Sequence, residues 1–147
     1  MNRAILCIFA KPPIPGKVKT RLIPYLNARE AADMAAAFLE DVAAPCRKIP
    51  DTQTVIATLG DWPSDIPSPK DLEIWQQQGK DLGKRMESIF IRGLQQAPMV
   101  LALGADAPLI SIGILEDALE KLRSVAEGDD TDDGKSYDKN PKDDYGK

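Results

Sequence analysis

Apolar and polar positions fall into alternating blocks along the chain. Ala4–Phe9 (Ala-Ile-Leu-Cys-Ile-Phe) is apolar without a break and is stopped by Pro12, Pro13, Pro15 and Gly16. A short continuous apolar run predicts a strand buried on both faces, as in parallel sheets. Asn27-Ala-Arg-Glu30 has the capping-box pattern, with an N-cap Asn and a Glu three residues on. It predicts a helix to about Lys48, with Ala32, Ala35, Ala36, Leu39, Ala43 and Cys46 on one face and Pro45 and Pro50 at a frayed end. Thr54–Leu59 reads as a second strand. Asp61–Asp71, with Pro63, Pro67 and Pro69, reads as loop. Leu72–Gln76 suits a short third strand. Asp81–Gln96 suits a helix whose stripe is Leu82, Met86, Ile89, Phe90 and Leu94. Met99–Leu103 is a fourth apolar strand, followed by a turn from Gly104 to Pro108. Ser111 can cap a last helix with Ile112, Leu115, Leu119, Leu122 and Val125 on one side.

The order β-α-β-(β)-α-β-α predicts an α/β fold with a mainly parallel sheet. At 147 residues the chain suits one domain. From Glu127 to Lys147 no aliphatic residue occurs. The expected organisation is therefore a folded body over residues 1–126 and an acidic, disordered tail over 127–147.

Charge sharpens that division. Residues 1–126 carry 15 Lys+Arg against 15 Asp+Glu, and the tail carries 4 Lys against 8 Asp+Glu, so the whole net charge of −4 lies in the tail. A neutral body with an acidic tail does not suit a nucleic-acid binder, whose footprint is a basic face. The absence of histidine excludes Ser-His-Asp and Cys-His sites and His-liganded zinc. Cys7 and Cys46 have no metal-ligand spacing and read as reduced, buried thiols. No apolar run has the ~18 residues a membrane span needs. Arg3 followed by Ala4–Ala10 has the outline of a short signal sequence but no cleavage site, so a cytoplasmic protein is expected.

In a parallel sheet, ligands gather beyond the carboxyl ends of the strands. The loop after the first strand packs Lys11, Lys17, Lys19 and Arg21 into eleven residues, with Gly16 allowing close backbone approach and Thr20 adding a hydroxyl. Ammonium charges and one guanidinium fork are what a phosphate site needs. The spacing is neither a P-loop nor Gly-x-Gly-x-x-Gly, and a solvated basic loop is the plain alternative. The loop after the fourth strand holds Asp106. Its carboxylate can ligate Mg²⁺ or Mn²⁺ shared with substrate phosphates, or simply cap the turn. Asp81 and Arg85, in Gln78-Gly-Lys-Asp-Leu-Gly-Lys-Arg85, mark a helix N-terminus, a potential anion site or an ordinary capped helix.

Three segments together, Phe9-Ala-Lys-Pro-Pro-Ile-Pro-Gly-Lys-Val-Lys-Thr-Arg-Leu22, Gln78–Met86 and Gly104-Ala-Asp-Ala-Pro-Leu109, resemble a bacterial family of GT-A-type glycosyltransferases. These are the nucleotide-diphospho-sugar transferases, some members of which accompany radical-SAM and selenium-related domains. The resemblance runs from residue 3 to about residue 125. It implies a three-layer α/β/α sandwich of Rossmann-like GT-A type, a nucleotide-sugar or nucleotide as partner, and a divalent cation as cofactor. On that reading Lys11, Gly16, Lys17, Lys19, Thr20 and Arg21 hold the nucleotide phosphates, Asp81 and Arg85 line the same cleft, and Asp106 takes the metal. The family reads Gly-Ser-Asp-Cys-Pro where this chain has Ala105 and Ala107, keeping Asp106 and Pro108. It also continues into a further strand and an acceptor-side segment with no match here, so the chain is expected to be C-terminally truncated relative to it. Glycosyl transfer is the first expectation. A nucleotidyltransferase joining an NTP to a phosphorylated small molecule is the second. A non-catalytic domain binding nucleotide or protein is the third.

Overall fold

Successive residues of the first strand feed two different cores. Ala4, Leu6 and Ile8 pack on one side and Ile5 and Cys7 on the other, all fully buried. Two-sided burial is why this strand is apolar at every position, where a half-buried strand alternates. The computed structural model of the chain describes residues 2–22, 25–106 and 110–126. Its elements are β1 (Ala4–Phe9), a 3-10 turn (Thr20–Leu22), α1 (Ala28–Arg47), β2 (Thr52–Thr58), β3 (Glu73–Gln76), α2 (Leu82–Leu94), β4 (Met99–Gly104) and α3 (Ile112–Ala126).

The four strands form one sheet in the order β3-β2-β1-β4, every neighbouring pair parallel. Ala4 lies opposite Thr52 on one side and Met99 on the other, so β1 is paired along its full length on both edges. On the face of Leu6 and Ile8 lie α1, through Leu39, Val42, Ala43 and Cys46, and α3, through Leu115 and Leu119. On the face of Ile5 and Cys7 lies α2, through Ile89. The result is the expected three-layer α/β/α arrangement. No described helix is long and apolar enough to cross a membrane.

Local chemistry explains the boundaries. The Asn27 side chain accepts from the Glu30 N–H at 2.8 Å, and Glu30 accepts from the Asn27 N–H at 3.1 Å, completing the capping box. Helix α1 runs through Pro45 to Arg47, because a proline in the last turn forfeits one backbone bond only. Arg47 then bonds both carboxylate oxygens of Asp71, at 2.7 and 3.0 Å, tying the end of α1 to the segment before β3. Ser111 accepts from the Ile114 N–H at 3.2 Å and starts α3. Cys7 and Cys46 are free and buried.

Two expected stripes are only half right. In α2, Ile89 is buried, but Leu82 and Leu94 are exposed and Gly93 is the second buried residue. The helix meets β4 through a glycine, which rotates Leu94 out to solvent. In α3, Leu115 and Leu119 are buried while Val125 is exposed in the last turn. Pro108 and the acidic tail over 127–147 lie outside the described residues.

Candidate functional site

The strand order reverses around β1. From β1 the chain moves to β2 and β3, then crosses the other face of the sheet to return as β4. The carboxyl ends of β1 and β4 therefore lie side by side, at the end of the sheet where open α/β proteins bind ligands. The loop ends are fixed by backbone bonds. Ala10 N–H donates to the Ala57 carbonyl at 3.0 Å, and Ala105 N–H donates to the Phe9 carbonyl at 3.2 Å. The second bond brings the residues before Asp106 against the start of the basic loop.

Within that loop Pro12, Pro13 and Val18 are buried and act as anchors, while Lys11, Gly16 and Lys17 are exposed. The Lys17 N–H closes a turn on the Ile14 carbonyl at 3.0 Å, and Gly16, at φ +84°, supplies the left-handed residue that turn requires. Lys19 is also left-handed, at φ +49°. A lysine has no glycine-like freedom there, and the conformation costs about 1–3 kcal/mol. Its ammonium lies 3.1 Å from Asp106 Oδ1 and 4.4 Å from the centroid of the Phe38 ring. Both contacts depend on the direction this backbone gives the side chain.

An open cleft of about 930 Å³ lies at this end of the sheet. Lys11, Lys17, Lys19, Thr20, Arg21 and Arg85 line it together with Asp106. Residues from three separate stretches of sequence are thus brought to one surface. Gly16 and Asp81 are not on the lining. Gly16 shapes the loop, and Asp81 caps α2, its Oδ1 accepting from the Lys84 N–H at 2.9 Å. Arg85 is steadied by donating from Nε to the Gly79 carbonyl at 3.2 Å. Gly79 has φ +145°, and a Cβ there would stand 2.5 Å from Lys84 Cβ.

Sequence reasoning missed the apolar wall. Met34, Ala35, Phe38 and Leu39 of α1 line the cleft, joined by Leu59 after β2 and Leu82 at the start of α2. Met34 and Phe38 are spaced i, i+4 beside the core stripe of α1, and an apolar pair off the main stripe is the signal that could have found them. Asp106 is the one carboxylate among the described lining residues, and its side chain is 81% exposed. Among the described residues no cluster of three acidic or thiol side chains could cage a metal ion. One accessible carboxylate fits a hard cation that arrives sharing phosphate oxygens, since Mg²⁺ commonly takes only one or two carboxylates.

Comparison with known proteins adds the following. A family model described as "Uncharacterized protein conserved in bacteria (DUF2064)" matches residues 42–132. That span holds Asp81, Arg85 and Asp106; the basic loop precedes it. A crystal structure of a "putative nucleotide-diphospho-sugar transferase" from Desulfovibrio desulfuricans G20 superimposes with a TM-score of 0.74 at 27% identity. The match covers 84% of this chain and 55% of that one, so the chain spans about half the length of this structural relative. No functionally curated protein matches the chain.

Proposed function

The chain belongs to the bacterial family DUF2064, and on that footing we propose that its cleft binds a nucleoside-diphosphate sugar and takes part in glycosyl transfer. The observation that carries the proposal is the gathering of Lys11, Lys17, Lys19, Arg21 and Arg85 around one carboxylate beyond the ends of β1 and β4. The likeness to a structure described as a nucleotide-diphospho-sugar transferase supports the same reading.

In such a transfer the bond between the anomeric carbon and the diphosphate oxygen breaks, and its electron pair stays on the diphosphate. The acceptor oxygen forms the new bond to the sugar and gives up its proton to water. Charge therefore grows on the leaving diphosphate. Lys17 and Lys19 meet it as point charges and Arg21 as a planar two-pronged donor. Preformed positive groups aimed at developing charge are an effective source of rate enhancement. The apolar wall of Met34 and Phe38 excludes water from one side of the cleft and strengthens those interactions. Asp106 would hold a divalent cation, which when bound supplies further Lewis-acid stabilisation of the leaving group.

The test is thermal unfolding with UDP, GDP, CDP and ADP, their sugars and the NTPs, each with and without Mg²⁺ or Mn²⁺. A ligand at ~100 times its dissociation constant should stabilise the fold by about 2.7 kcal/mol. Stabilisation by one diphosphate and its sugar supports the proposal and names the base. Stabilisation by NTPs alone transfers the site to nucleotidyl transfer, with pyrophosphate release as its assay. A cooperative transition that no nucleotide moves overturns the proposal.

A further inference from the structure

Asp106, the carboxylate offered to a cation, already has a counter-ion in the fold. Lys19 bonds its Oδ1 at 3.1 Å. The pair is unequal, because the Lys19 side chain is 18% exposed and the Asp106 side chain 81%. The ammonium is held from below by the Phe38 ring at 4.4 Å and directed by a left-handed backbone at Lys19. The carboxylate stands in the open. Around them the described lining carries four more cations, Lys11, Lys17, Arg21 and Arg85, and no second acid. A free divalent ion approaching Asp106 meets an occupied carboxylate in a positive field.

We propose that Lys19 and a divalent cation are alternative counter-ions of Asp106, and that a diphosphate is what exchanges them. The inference rests on the proposed function and specifies how that site meets its metal. An ion pair with one partner this exposed is worth only about 0–1 kcal/mol, so it yields readily. A diphosphate offers Lys19 a charge-assisted bond to a more highly charged acceptor. Once Lys19 turns to phosphate, Asp106 is released, and the phosphate oxygens supply the additional ligands that a lone carboxylate cannot. The cation consequently enters with its diphosphate and not ahead of it. Without any cation the site still binds diphosphate, because Lys19 neutralises the one acid that would repel it. The coupling between diphosphate and cation is reciprocal, and its size is set by Lys19.

Isothermal titration of inorganic pyrophosphate, with and without Mg²⁺, tests this on the full chain. The informative variant is Lys19→Gly, which removes the ammonium and relieves the left-handed backbone, so the fold is kept. In the unaltered protein Mg²⁺ alone should show no binding, and Mg²⁺ should raise pyrophosphate affinity by the same factor by which pyrophosphate raises the affinity for Mg²⁺. In Lys19→Gly the Mg²⁺-free affinity should fall at least about tenfold and Mg²⁺ should restore most of it, because Asp106 now repels the ligand unless a cation bridges them. Lys19→Arg keeps the positive charge and should hold its Mg²⁺-free affinity above that of Lys19→Gly. Asp106→Asn should bind pyrophosphate without Mg²⁺ and respond to Mg²⁺ no further. The proposal is overturned if Lys19→Gly loses affinity equally with and without Mg²⁺, which would make Lys19 one phosphate contact among several. It is overturned as well if Asp106→Asn keeps the Mg²⁺ response. A protein that binds pyrophosphate under neither condition, in any variant, brings down the proposed function itself and this inference with it.

Discussion

Gly93 of α2 and Val100 of β4 meet with no space between them. A Cβ built on Gly93 would lie 2.6 Å from Val100 Cγ2, closer than real carbon atoms approach. Gly93 is buried for that reason, in a helix position where alanine is otherwise favoured by up to about 1 kcal/mol. Overpacking a core typically costs about 1–3 kcal/mol, and the β-branched valine has little freedom to retreat. Gly93→Ala should therefore lower stability by about 1–2 kcal/mol in urea unfolding, the overlap outweighing the helix gain. Paired with Val100→Ala it should cost less than the two single changes added together, since they share one contact.

Gly79 governs the site from a distance. At φ +145°, a side-chain carbon here would stand within 3 Å of Lys84 Cβ, Lys84 C and Arg85 N, so only glycine suits the position. Gly79→Ala should displace the Gly79 carbonyl from Arg85 Nε. We expect a stability loss of about 1–3 kcal/mol and weaker pyrophosphate binding, with Arg85→Lys reproducing the binding loss while sparing the fold. Calorimetry and thermal unfolding on the two variants separate those effects.

Phe38 is a positioning residue for Lys19. A cation over an aromatic ring gains about 0.5–1 kcal/mol at a partly exposed site, equivalent to a few-fold in affinity. Phe38→Leu keeps the wall apolar and removes the ring. It should weaken Mg²⁺-free pyrophosphate binding about two- to fivefold, and Phe38→Tyr should restore it. A purely space-filling role predicts no difference between leucine and tyrosine.

The two thiols give a pH dependence with a defined sign. Burial pushes Cys7 up to about 12. Burial likewise pushes Cys46 up to about 11, against a smaller opposing pull from Arg47. The folded state thus keeps protons that the unfolded chain, titrating near 9, gives up. Their contribution is fully present below pH 9 and is lost as pH rises through the folded values. Urea unfolding at successive pH values should show stability declining above that point, less steeply in Cys46→Ala. At neutral pH neither thiol should react with Ellman's reagent until the protein is unfolded.

The sheet was legible because its physics is local. Ala4–Phe9 is apolar at every position, and only burial on both faces accounts for that; β1 has those bounds. The capping box at Asn27 and Glu30 likewise fixed the start of α1. Helix stripes were read less well. Leu82 and Leu94 match the apolar period of α2 as well as Ile89 does, and only tertiary contact distinguishes Gly93 as the residue that meets β4. In the cleft, the basic residues were recognisable as a run and Asp106 by its place after an apolar strand. The pairing of Lys19 with Asp106 joins residues 87 apart in sequence and depends on a left-handed lysine, which no composition or spacing announces. Phe38 was hidden for a related reason, since an aromatic on an Ala-rich helix reads as core until the neighbouring loop is seen to lie over it.

The central place of β1 has a consequence for the order of assembly. The first strand of the sequence is the one with two neighbours. One of them, β2, begins 48 residues after Ala4, and the other, β4, begins 95 residues after it. Doubling a loop adds only about 0.6 kcal/mol of closure entropy, so the distant partner is thermodynamically cheap. It is slow to arrive nonetheless, because non-local strand pairing delays folding. While the chain is being made, β1 emerges before both of its partners and waits with one edge of an apolar strand unpaired until Met99–Gly104 has emerged. Nascent chains cut short of that point should engage a holding chaperone through Ala4–Phe9.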